Sequence, residues 1–295
     1  MVCPVCFRHC NIVESGLGFC GVRTCKDGVV VADNYGKITS IALDPIEKKP
    51  LAFFYPGSMI LSVGSYGCSL RCPFCQNHEI SWSDEAMMFR DSARTYRPEE
   101  IADLAERYKS AGNIGVAYTY NEPLAGYEFV RDTARLVHER GMKNVLVTSG
   151  NAELSVLSEI APYMDAMNID LKGFTDRYYT QVLGGNRRAV MDFIEAAVKV
   201  SHVELTTLIV PGENDSEEEM RALSAWVAGL EIGGETGDDK TEIYSITSGR
   251  DIPLHISRFF PRFHMTDRDA TDVSLIYRLA EVARENLDHV LTGNC

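Results

Sequence analysis

Between Cys75 and Cys295 the chain has no cysteine, although it has nine in all. A random scatter of core thiols would not leave so long a gap. Also missing is any apolar run approaching the roughly 18 residues that cross a bilayer, as is a basic-then-apolar N-terminal segment of the signal-peptide type. A soluble, cytoplasmic protein is therefore expected. Basic residues are scarce: 29 Lys and Arg against 42 Asp and Glu give a net charge of −13. That balance excludes general nucleic-acid binding and attraction to an anionic membrane, but leaves room for a local basic groove. No short-period repeat or low-complexity tract interrupts the chain. What remains is an ordinary globular composition, 45% apolar and 24% charged over 295 residues, enough for one large domain or two average ones without staples.

The cysteines fall in two groups, at 3, 6, 10, 20 and 25 and at 68, 72 and 75, with Cys295 last. Clustered thiols in a reducing compartment read as metal ligands before disulfides. Residues 1–55, broken by glycines, look like a small Cys-rich module stapled by metal. From 56 to 295 the texture is that of a second unit, in which short β-branched runs alternate with amphipathic segments. Strands are expected at Met59–Val63, Ile114–Tyr118, Val145–Thr148, Ala166–Leu171, Val203–Val210, Pro253–Ile256 and His289–Leu291. Helices are expected at 98–112, 124–139, 152–160, 187–199, 216–229 and 269–286. The polar, Gly-rich stretch 231–250 reads as a surface insertion. Such alternation means an α/β fold around a parallel sheet, either an open doubly wound sheet or a partial or full (β/α) barrel. Functional groups then belong at the carboxyl ends of the strands.

Immediately after the first of these strands comes Gly64-Ser65-Tyr66-Gly67-Cys68-Ser69-Leu70-Arg71-Cys72-Pro73-Phe74-Cys75. Three thiolates can hold three irons of a [4Fe–4S] cube and leave the fourth open. A zinc site is the alternative on spacing alone, with His78 as fourth ligand. The order Cys-x3-Cys-x2-Cys, with Phe74 before the last cysteine, resembles the motif of the radical S-adenosylmethionine (SAM) superfamily. The resemblance implies a barrel of the radical SAM type. It also implies a cluster at Cys68, Cys72 and Cys75 that chelates SAM and cleaves it reductively to methionine and a 5′-deoxyadenosyl radical. The radical then abstracts hydrogen from a substrate.

Further motifs carry the same resemblance. Tyr120-Asn121-Glu122-Pro123 is similar to the family's Gly-Gly-Glu-Pro element, with Tyr120-Asn121 in place of the two glycines; Asn121 and Glu122 are thereby candidates for binding the SAM amino group. Asp170 and Lys172 lie two apart at a strand end and so share a side. The same Asp-x-Lys pattern contacts SAM in activases similar to the pyruvate formate-lyase-activating enzyme. Phe74, Val210 and His255 match SAM contacts there. Val147 stands where activases carry an acidic ribose contact, so Ser149 or Asn151 is expected to take that part.

At the front, Cys3-x2-Cys6-x3-Cys10-x9-Cys20 supplies four thiolates, which suit tetrahedral zinc or an auxiliary iron–sulfur cluster equally well, with Cys25 as a spare. This segment, with Tyr-Asn-Glu-Pro and Pro-Leu-His-Ile-Ser-Arg-Phe-Phe-Pro, resembles the AmmeMemoRadiSam-system radical SAM proteins along nearly the whole chain. The resemblance implies an electron donor such as flavodoxin or ferredoxin. It leaves open whether the target is a glycine in a partner protein or a small molecule. Arg258, Phe259, Phe260, Arg262, Phe263 and His264 are expected to line the substrate side. A reading of a different class, a zinc-binding scaffold without catalysis, predicts a colourless protein.

Overall fold

The computed structural model describes residues 1–233 and 245–295. Its centre is an eight-stranded sheet in the order β12-β11-β10-β9-β8-β7-β5-β4. Seven strands run parallel: β5 (Met59–Gly64), β7 (Asn113–Tyr118), β8 (Lys143–Thr148), β9 (Ala166–Asp170), β10 (His202–Ile209), β11 (Leu254–Arg258) and β12 (Val290–Gly293). All seven expected strands are present, each within a few residues of its expected ends. Among the described residues β4 and β12 do not hydrogen bond to each other, so the sheet forms a partial barrel.

The eighth strand, β4 (Ser40–Pro45), runs antiparallel along β5 from Ser40 opposite Gly64 to Pro45 opposite Met59. It lies within the first 55 residues and yet forms an edge of the main sheet. Its six residues are all half-buried, so no clean period marks it in the sequence. Ahead of it β1 (Arg23–Lys26) and β2 (Val29–Ala32) make a hairpin, and β3 (Lys37–Ile38) pairs with the equally short β6 (Arg94–Thr95).

Side chains on the two faces of the sheet have different partners. On β5, Leu61 and Val63 join the large core, while Ile60 belongs to a second one. The large core is covered by amphipathic helices: α3 (Pro98–Arg107), α4 (Tyr127–Glu139), α5 (Leu154–Ile160), α6 (Arg187–Ala197), α7 (Glu217–Ala228) and α8 (Val273–Arg284). Ile101, Val137, Leu157, Phe193, Leu223 and Leu279 are fully or nearly fully buried there. On the inner face Ile46, Leu51 and Phe54 pack against Ile60, Ala117, Val145 and Ala166 and plug one end of the barrel. Alternation along each strand sends one residue to each layer.

Two short helices, α1 (His78–Ser81) and α2 (Asp84–Ser92), follow the central cysteines. Of the stretch 231–250, residues 234–244 lie outside the described residues, and Ile246 beyond them is buried in the large core. Among the described residues no helix is long and apolar enough to cross a membrane.

Candidate functional site

At Gly64 the chain leaves β5 and turns through the cysteine loop, at the carboxyl end of a parallel strand. Asn121 braces the loop: its side chain accepts from the Ser65 N–H at 3.1 Å and donates to the carbonyls of Tyr66 and Gly67, both at 3.1 Å. Gly67 donates to the Ser81 carbonyl at 2.7 Å. Arg71 donates to the carbonyls of Cys68, Leu70 and Phe19. Cys68, Cys72 and Cys75 are free thiols close enough to repel one another's charge. Burial raises Cys68 well above an ordinary thiol, with Glu122 and Cys72 adding to the effect. Burial pushes Cys72 up to about 12 although Lys172 pulls it down.

Asp170 ends β9, and its carboxylate accepts from Lys172 Nζ at 2.6 Å, as the two-residue spacing predicts. Burial lowers the Lys172 pKa, but Asp170 and Cys72 outweigh it and hold the ammonium above its ordinary value. Lys172 thus lies in the field of a triad thiol. Register places Asp170 beside Thr206 and Thr206 beside His255, so all three stand at one level across β9, β10 and β11. His255 Nε2 is 2.6 Å from Glu204, and His202 Nε2 is 3.1 Å from the same carboxylate. Glu204 also accepts the backbone N–H groups of Ala52 and Phe53 at 2.9 and 2.8 Å. It therefore joins the plug to β10. The sequence reading missed this residue, although a charge within the apolar run His202–Ile209 marked it.

Glu122 is buried, and its four lone-pair sites are taken by Thr148 Oγ1 (2.7 Å), Ser149 N (2.9 Å), Ser149 Oγ (2.5 Å) and Leu124 N (3.2 Å). Asn151 accepts from Asn186 N at 3.1 Å and donates to the Ser149 carbonyl at 3.2 Å. Asn121, Glu122, Ser149 and Asn151 therefore form one internal framework. Val210 is fully buried, its N–H capped by Asn214 at 2.7 Å.

Tyr120, which stands for the first glycine of the Gly-Gly-Glu-Pro element, has φ of +74°. A bulky residue rarely adopts this left-handed conformation, and glycine adopts it freely. Here the ring holds the backbone in place. Its hydroxyl donates to Asp44 at 2.7 Å, Lys49 lies 4.7 Å from its centroid, and a Cβ at Gly64 would come within 2.8 Å of it.

The aromatic loop after β11 docks on the cysteine loop. His264 N donates to the Pro73 carbonyl at 2.8 Å, Phe74 meets Phe259 edge-on at 6.1 Å, and Phe263 stacks on His78 at 4.0 Å. Phe263 too has a left-handed φ, +55°. Arg258 donates to the Thr271 carbonyl at 2.6 Å, and Phe260 is exposed.

Among the described residues no three His, Cys, Asp or Glu side chains converge closely enough to hold a single metal ion. Three soft sulfurs close together on one loop fit a cluster in which each sulfur reaches a different iron.

The model of the radical SAM superfamily matches residues 62–223. The chain belongs to that superfamily, and it is a radical SAM enzyme. Over 99% of its length it is 38% identical to an uncharacterized protein of Methanocaldococcus jannaschii, covering 80% of that relative. It is 29% identical to the pyruvate formate-lyase-activating enzyme of Clostridium pasteurianum, over 54% of this chain and 65% of that one. It is also 25% identical to the 4-hydroxyphenylacetate decarboxylase activating enzyme of Clostridium scatologenes, over 73% and 68% respectively. Among solved structures, Streptococcus suis SuiB bound to its precursor peptide SuiA shares the fold, with a TM-score of 0.57 at 13% identity, covering 85% of this chain and 51% of that one. Membership implies a [4Fe–4S] cluster and SAM.

Proposed function

We propose that the chain cleaves SAM reductively and directs the resulting radical at a glycine in a partner protein. The observation that carries this is the meeting of Cys72, on the loop of three thiols, with the Asp170–Lys172 pair at the carboxyl end of β9. When bound, the cluster supplies one electron to SAM, which breaks into methionine and a 5′-deoxyadenosyl radical.

Every other part of the work falls to the chain. Cys68, Cys72 and Cys75 hold the irons as thiolates. Lys172 offsets their negative charge and would donate to the SAM carboxylate, while Asp170 would accept hydrogen bonds from the ribose hydroxyls. His255, fixed by Glu204, lies at the level of Asp170 and closes that side of the SAM site, with Val210 beside the adenine. Asn121, Glu122, Ser149 and Asn151 are positioning residues, because their polar atoms are occupied in holding the loop and its neighbours. Phe74, Phe259 and Phe263 exclude water from the sulfurs. The protein target is supported by the activating-enzyme names of two relatives. A low-potential carrier, flavodoxin or ferredoxin, supplies the electron.

Anaerobic reconstitution with iron and sulfide tests the reading. The protein should absorb near about 400 nm and form 5′-deoxyadenosine from SAM and dithionite. Absence of both refutes the enzyme. Deuterium carried into 5′-deoxyadenosine from a glycine-labelled partner, and not from small molecules, supports the protein target; the opposite pattern rejects it.

A further inference from the structure

Cys3, Cys6, Cys10 and Cys20 line one cavity with Arg8 and Arg23. None forms a disulfide, and the thiols are close enough to repel one another's charge. Cys25 is excluded from the set, because its thiol donates to Glu14 at 3.4 Å on the hairpin. Four thiols that line one cavity can each meet its own metal at a separate corner of a cluster. The surroundings suit such a cluster as well: Phe19 N donates to Cys10 Sγ at 3.5 Å, and the Arg8 guanidinium lies in the field of Cys6, Cys10, Cys20 and Cys68.

This cavity adjoins the central cysteine loop. Cys68 N donates to the Cys20 carbonyl at 3.2 Å, so one backbone hydrogen bond separates a residue of each thiol set. Gly67 makes the approach possible, with φ of +98° and a Cβ position only 2.4 Å from Val22 Cγ1. Arg8 donates to the Ser69 carbonyl at 2.9 Å, and the guanidinium groups of Arg8 and Arg71 both contact the Phe19 ring, at 3.5 and 4.0 Å from its centroid.

We propose that Cys3, Cys6, Cys10 and Cys20 hold a second four-iron cluster, and not zinc, as a near neighbour of the cluster at Cys68, Cys72 and Cys75. Only the identity of that neighbour rests on the function proposed above. Two paramagnetic centres placed this way broaden each other's magnetic resonance lines.

The full chain, reconstituted anaerobically with iron and sulfide in the presence of zinc, should bind about eight irons and eight sulfides. The C68A/C72A/C75A variant should keep about four irons and its absorbance, and so should a C3S/C10S variant. The reduced wild type should show a broadened resonance spectrum that narrows in each variant. If the triple variant binds zinc alone, or no metal, the inference is overturned. Should C3S/C10S fail to fold, the triple variant still decides, since its front cysteines are intact. About four irons in the wild type, all lost in C3S/C10S and none in the triple variant, would uphold this inference and refute the proposed function. The reverse would refute this inference and leave the function standing.

Discussion

The two sets of thiols differ in what holds them in place. Cys68, Cys72 and Cys75 lie on a loop braced by Asn121, Arg71 and Ser81, and backed by a fully packed barrel. The front cysteines sit on a chain without a helix, held by isolated backbone bonds such as Cys3 N to the Cys10 carbonyl at 2.9 Å, by a few side chains such as Val5 and Ile12 that reach the large core, and by one buried arginine. Arg23 donates to Glu128 at 2.5 and 2.8 Å and to the Ala125 carbonyl at 2.7 Å, fastening the front to α4. A scaffold formed by burial can wait for its metal, whereas a loop-rich segment depends on the metal for order. On the proposal above, the same ligand chemistry would serve as cofactor site in one place and as staple in the other.

Four changes would break or sharpen that contrast. C72A should lower 5′-deoxyadenosine formation about 10³-fold or more, while the circular dichroism melt of the barrel stays in place; turnover within about tenfold of wild type would reject the central assignment. Stripping metal with a chelator should remove hydrogen-exchange protection from residues 1–25, leaving that of β7 to β10 unchanged. Equal loss in both regions would show that the barrel also needs its metal. R23A should cost about 3 kcal/mol in urea unfolding, because Arg23 is buried and paired in two directions. A change below about 0.5 kcal/mol would mean that the front is not fastened there.

The fourth change concerns pH. Burial alone would raise the Glu204 carboxyl, but the hydrogen bonds from His202 and His255 bring it down to about 2. A carboxyl lowered by folding contributes stability above its unfolded value, and that contribution disappears as pH falls toward the folded one. The metal-free protein should therefore lose on the order of 3 kcal/mol between about pH 4.5 and 2. E204Q should flatten this acid limb in urea melts; an unchanged limb would place the titration elsewhere.

Much of the barrel was legible in the sequence. Seven buried strands and six amphipathic helices announce themselves by period, because each strand of a doubly covered sheet must be apolar on both faces. The Asp170–Lys172 pairing followed from alternation alone. β4 was not legible, since a half-buried edge strand with Ser40 and Asp44 has no clean period. The strain at Tyr120 was visible only as a departure from the family's glycine, and its remedy, Asp44 and Lys49, lies 76 and 71 residues away.

Covalent order determined which atoms could bind metal: three thiols within eight residues and four within eighteen. It also fixed the strand after which the central three would stand. Tertiary structure decided what the neighbouring polar groups do. Glu122, Ser149 and Asn151 face one another in a buried framework, and Glu204 gathers two histidines and two backbone amides. It decided as well that Cys20 lies one hydrogen bond from Cys68, across a gap of 48 residues. A burial period is set locally by backbone geometry, but the partners of a buried polar atom are set by whatever the fold brings within about 3 Å.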